Sequence, residues 1–117
     1  MDRETFASVV HEVLDALPEW AVACVDNLRV VVEDLPTLEQ NPEQEDLLGL
    51  YDGIPLHERG PEYVSELPDT IYIYREPHLA LGLPDNELRE EIQRTVLHEL
   101  AHYFGIDDDR LDEIGWG

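Results

Sequence analysis

Thr95-Val96-Leu97-His98-Glu99-Leu100-Ala101-His102-Tyr103-Phe104-Gly105-Ile106-Asp107-Asp108 is the stretch on which the fold turns. It reads H-E-x-x-H followed by x-x-G-x-x-D. On an α-helix, residues four apart lie about 40° apart round the axis and one turn along it. His98 and His102 can therefore aim two imidazoles at one metal ion. Glu99 projects beside them, badly placed as a third ligand and well placed over a water at the metal. Gly105 falls where glycine ends a helix in a left-handed conformation that other residues resist. The chain must then double back by roughly 5 Å, one helical turn. Three residues span at most about 10 Å, so Asp108 can reach the histidines. Asp107 and Asp109 flank it, and composition alone does not choose among the three. The offset from Gly105 selects Asp108, with His57 and His78 as the fallback ligands.

The residues around the motif set its surroundings. On a helical wheel Ile92, Val96, Leu97, Leu100, Ala101, Tyr103 and Phe104 form one broad apolar arc. Glu91, Thr95, His98 and His102 lie opposite. The histidines therefore face water or a metal cleft. An amphipathic helix with two solvent-facing histidines would account for the periodicity alone. It would not account for Gly and Asp at their fixed offsets, so the metal reading is preferred.

The remaining chain reads as elements that could support such a helix. Residues 3–17 carry Phe6, Val9, Val10, Val13, Leu14 and Leu17 at three- and four-residue spacing, predicting a helix capped by Asp2 and ended by Pro18. His11 on that helix reads as a structural or surface residue. Residues 18–24 predict a short helical turn, with Trp20 as a packing anchor. Residues 27–34 (NLRVVVED) are β-branched and predict a strand, and residues 35–46, with two prolines and many acids, a loop. Residues 47–54 (LLGLYDGI) predict a second strand, with Gly49 and Gly53 at bends. Residues 55–68 form a long connection holding His57. Residues 69–75 (DTIYIYR) alternate cleanly and predict a third strand. Residues 76–84 connect it to the motif helix, which Asp85 caps and which runs to Phe104; His78 in that connection reads as an exposed loop residue near the site. Residues 107–117 leave room for one further helical turn around Leu111 and Ile114. The fold class is α+β: one domain over residues 1–117, a small three-stranded or slightly larger sheet packed against a long C-terminal metal-binding helix.

Composition narrows the partners. Twenty-eight acidic residues face seven basic ones, all Arg, for a formal charge of −21. Such a field repels nucleic acid and anionic membranes and favours cations. No apolar run is long enough to span a bilayer, and the N-terminal Met1-Asp2-Arg3-Glu4 does not begin a secretory signal. The single Cys24, among small apolar residues, reads as a buried hydrophobe in a reducing compartment. The expectation is a cytoplasmic monomer that touches neither nucleic acid nor membrane.

The motif and its neighbours resemble a family of short, mostly bacterial, zincin-like metallopeptidases with an H-E-x-x-H-x-x-G-x-x-D pattern. The likeness extends through residues 27–34, 47–56 (LLGLYDGIPL), 68–77 (PDTIYIYREP) and 95–111. It implies a minimal zincin domain with His98, His102 and Asp108 as zinc ligands and Glu99 as the catalytic base. Unlike the larger metzincins, this chain has no methionine turn, since Met1 is its only methionine. Zinc with three protein ligands keeps a fourth position for water and makes that water acidic. Glu99 would then take the proton as the water attacks a peptide carbonyl. Tyr103, Arg110 and His78 are the residues from which an oxyanion helper could come, and Asp112 and Glu113 could hold a ligand imidazole. A catalytically silent, metal-stabilised module that binds peptides or proteins is the alternative, and it has no need of a base. The substrate strand is expected along a sheet edge beside the motif helix, with residues 69–75 as that edge.

Overall fold

A computed structural model describes the chain except residues 26, 56–57, 61–67 and 115–117 and the side chains of residues 24, 108, 111 and 112. Its elements are α1 (Arg3–Asp15), α2 (Glu19–Cys24), β1 (Leu28–Glu33), β2 (Gly49–Asp52), β3 (Asp69–Tyr74), α3 (Arg75–Leu79), α4 (Asp85–Phe104) and α5 (Asp108–Ile114). The α+β expectation is met, with a three-stranded sheet and a long C-terminal helix. The readings placed on Cys24 and His57, and on the side chains of Asp108, Leu111 and Asp112, lie outside the described residues.

Each element forms for a local reason. Asp2 begins α1 by accepting the Thr5 N–H at 2.8 Å, satisfying one of the amides a helix start leaves open. The apolar stripe of α1 then buries Phe6, Val9 and Val10. In β3 the alternation turns Ile71 and Ile73 into the core, where both are fully buried. They meet Phe6, Val9 and Val10 from α1 and Leu88, Ile92, Val96 and Leu100 from α4 in one cluster. The anchor expected of Trp20 is only partial: its ring tilts against Phe104 at 5.8 Å and stays 47 % exposed.

The strand order is β1-β3-β2, with β1 parallel and β2 antiparallel to β3. This corrects the expected sheet edge. Residues 69–75 are not free to take a peptide strand, because β3 is central and paired on both sides. The edge strand that packs beside the motif helix is β2. Alternation reports which faces of a strand are wet or dry, not whether its edges are paired.

Two further expectations change around α4. Pro84, not Asp85, occupies the N-cap position, and no side chain caps that helix. Asp85 instead accepts from Arg89 Nε at 2.9 Å, one turn on. The connection before α4 contains α3, which the sequence reading passed over; its Pro77 lies early in the helix, where a missing N–H costs little. At the far end Gly105 takes the left-handed conformation expected of it, with φ 74°. Ile106 N–H returns to the Ala101 carbonyl at 2.9 Å, closing the helix end. Asp107 Oδ1 then accepts the Arg110 N–H at 2.9 Å and so starts α5.

Candidate metal centre

The helix brings His98, Glu99 and His102 together as the spacing requires: their ligand atoms all lie within 4.8 Å of one another. The two imidazole centroids are 4.6 Å apart. The His102 side chain is 48 % exposed, whereas Glu99 is buried. Glu99 Oε2 stands 3.4 Å from His102 Nδ1 and has no hydrogen-bond partner. Burial raises the Glu99 pKa; the neighbouring His98 and, to a smaller extent, the nearby Tyr51 backbone oppose that rise. A buried carboxylate oxygen without a partner is costly unless something else satisfies it. Two accessible imidazoles beside that oxygen are donors of the kind that hold zinc, and the group could bind a metal ion.

Strand β2 comes up beside Glu99 at Gly49. Tyr74 N–H donates to the Leu48 carbonyl at 2.9 Å, which fixes the hydrogen-bonded rungs of the β2–β3 ladder. Leu50, opposite Tyr72, falls on the next such rung. Gly49 and Tyr51 fall between, so their N–H and C=O groups point away from β3, along an edge that is unpaired among the described residues. Gly49 lets the strand come this close to α4. A Cβ there would lie 2.8 Å from Thr95 Cγ2 and 3.2 Å from Glu99 Cγ. The glycine read as a bend is therefore a contact point.

Tyr51 is itself fixed from below. Its hydroxyl donates to Asp69 Oδ2 at 2.6 Å, and the Arg59 guanidinium bonds to the same oxygen. Arg59 also donates from Nε to the Ile54 carbonyl at 2.9 Å and lies over the Tyr103 ring. Burial, then the Asp69 contact, pushes the Tyr51 phenol well above the usual tyrosine range. This buried ion pair ties the chain after β2 to the start of β3.

The other named residues fall into place around this centre. His78 is fully buried rather than an exposed loop residue, because α3 carries it inward onto the edge of the Phe6 ring. Its Nδ1–H donates to the Tyr74 carbonyl at 2.6 Å, and Nε2 lies 2.9 Å from Thr95 Oγ1. Burial lowers the His78 pKa, and the Thr95 hydroxyl donates onward to the Glu91 carbonyl at 3.0 Å. Thr95, placed by the wheel on the polar face, is buried by this contact and by Gly49. Tyr103 packs edge-on against Tyr51 and is buried. Arg110 pairs with Glu113 at 3.1 Å, and both are exposed. Asp107, as the cap of α5, already has a structural use. Asp108 opens α5, and its side chain is outside the described residues.

Among the described residues, no helix is long and apolar enough to cross a membrane. Comparison with curated proteins yields no match. The family model described as zincin-like metallopeptidase matches residues 25–116, from the end of α2 onward. That span covers most of the 117 residues and includes the sheet, the His-Glu-His cluster and Gly105, and the chain belongs to the zincin-like metallopeptidase family.

Proposed function

We propose that this protein is a zinc-dependent peptidase in which His98, His102 and Asp108 hold the metal and Glu99 is the general base. The observation that carries the reading is Glu99 Oε2, buried, unpartnered and 3.4 Å from a ligand-type imidazole nitrogen. Zinc, when bound, makes a water acidic at neutral pH and polarises a carbonyl oxygen. The chain's own residues do the rest. Glu99 takes a proton from the attacking water and passes it to the nitrogen of the departing amine. Its burial supports this task, since a raised pKa brings a carboxylate nearer the operating pH of a base. The outward N–H and C=O groups of Gly49 and Tyr51 offer an extended peptide backbone pairing with little demand on its side chains.

The test is metal analysis of protein purified without chelators or metal-affinity resin, followed by a peptide-library cleavage screen. The expected result is one zinc per chain and cleavage that a chelator abolishes. Protein that neither retains nor takes up zinc would sink the reading. Stoichiometric zinc with no cleavage of any peptide would turn it toward a metal-stabilised binding module.

A further inference from the structure

The loop between β1 and β2 holds two large apolar side chains out in water. Leu35 is 59 % exposed and Leu38 70 %. The backbone that carries them is built from its own hydrogen bonds. Thr37 and Gln40 cap one another: Thr37 N–H donates to Gln40 Oε1 and Gln40 N–H to Thr37 Oγ1, both at 3.1 Å. The Tyr74 hydroxyl, from the sheet, donates to the same Gln40 oxygen at 2.7 Å. Asn41 closes the next turn, its Nδ2 donating to the Glu45 carbonyl at 2.7 Å and its Oδ1 accepting the Glu45 N–H at 3.2 Å. The two leucines share one groove between this loop and α3. It encloses about 390 Å³, with Leu35, Leu38 and Pro77 as apolar walls. Glu45, Asp46 and Glu76 are the charged residues of its lining, and none of the seven arginines reaches it. Single exposed leucines are ordinary on a protein surface. Two that converge on one cleft, with exposed acids and no cation beside them, mark a surface that is covered by a partner.

The lining sets the chemistry of that partner. Apolar walls call for an apolar anchor, and unopposed acids call for cations. A second copy is disfavoured, since it would bring a formal charge of −21 against the same charge. We propose that the groove is a docking site for a lysine- or arginine-rich segment of another protein that carries a leucine-like anchor. The anchor enters between Leu35, Leu38 and Pro77, and the flanking cations meet Glu45, Asp46 and Glu76. Opposite charge steers the encounter and is screened by salt, whereas the apolar contact sets how long the segment stays. Because the loop is already ordered, it has little conformational freedom left to lose on docking. The site is separate from the metal centre: none of its lining residues belongs to β2 or α4.

The probe is an acetylated hexapeptide amide of leucine and lysine in equal number, titrated into ¹⁵N-labelled protein. Amide shifts should move in residues 35–46 and 76–80 and stay unchanged in α1. The same peptide with alanine for leucine, and one with glutamate for lysine, should each bind about tenfold more weakly or worse. Leu38→Asp is the decisive variant. The side chain is exposed, so the fold is kept, and the added acid would strengthen an attraction that was electrostatic alone. A loss of about tenfold in affinity is expected. Glu45→Gln combined with Asp46→Asn should also weaken binding, by more at low salt than at high salt. Binding that is unchanged or tighter in Leu38→Asp, or an alanine peptide that binds as well as the leucine one, overturns the proposal. So do shifts confined to β2 and α4, which would make the peptide a ligand of the metal centre, and so does a sedimenting dimer that Leu38→Asp dissolves. Neither zinc nor cleavage is read, so this outcome is independent of the peptidase reading.

Discussion

Helix α4 carries two buried polar contacts one turn apart, and the fold treats them oppositely. At Thr95 the ring of His78 is enclosed, and each of its nitrogens has a partner within 2.9 Å. At Glu99 a buried carboxylate keeps one oxygen with none. Both positions lose hydration, and only the first recovers it inside the protein. A satisfied buried network makes a fold rigid and specific. An unsatisfied buried charge works against the fold and survives where chemistry needs it. On the proposed reading, the difference separates a histidine that builds the protein from a carboxylate kept for its reaction.

The comparison breaks first at the metal. His98→Ala or His102→Ala should weaken zinc by more than the about 10–100-fold lost when only an outer partner is removed. Asp108→Ala should do the same, and Asp107→Ala should weaken zinc little while costing about 1 kcal/mol through the lost cap of α5. Competition against a chelating dye measures the affinities. Zinc affinity unchanged by Asp108→Ala would move the third ligand to a neighbouring aspartate or to another histidine.

His78→Ala should show the reverse pattern. It removes the hydrogen bond to the buried Tyr74 carbonyl and one of the two contacts of the Thr95 hydroxyl, which keeps the Glu91 carbonyl, and should cost about 1–3 kcal/mol in urea denaturation, with zinc stoichiometry intact. A variant as stable as the parent would mean that the enclosed ring contributes nothing to the fold. Gly49→Ala sits between the two sites. Its methyl group must displace Thr95 or Glu99, so a loss of about 1–3 kcal/mol is expected together with slower cleavage. Lost stability with undiminished cleavage would separate the close strand approach from the reaction.

The smallest effect is a pH dependence. Burial holds the His78 pKa below 6.5, so the unfolded chain takes up that proton before the folded one does. The contribution is fully present above pH 6.5 and is lost as the pH falls from there through the folded value. Melting temperatures followed across that window should decline, and part of the decline should vanish in His78→Phe. An identical decline in both proteins would assign it to other groups.

Much of this was legible in the sequence because the decisive signals are local. His98, Glu99, His102 and Gly105 share one helix and its end, where spacing fixes geometry. Ile71 and Ile73 announced their buried face by alternation. What the sequence hid depends on contacts between distant segments. The β1-β3-β2 order arises from pairing across long connections, so β3 looked as free as β2. His78 becomes a core residue only because α3 turns it onto Phe6 and Thr95. Gly49 meets Glu99 only once β2 lies against α4, and Arg59 finds Asp69 only once the chain after β2 has folded back.

The claim that Glu99 is kept for chemistry is tested most directly by the cleavage rate of zinc-loaded Glu99→Gln. Glutamine keeps the shape and loses the buried charge and the base. The account expects one bound zinc, a melting temperature no lower than the parent's, and cleavage reduced by about 10²–10⁴-fold. Cleavage at the parent rate would contradict it, and would place the reaction at another site or in another protein of the preparation.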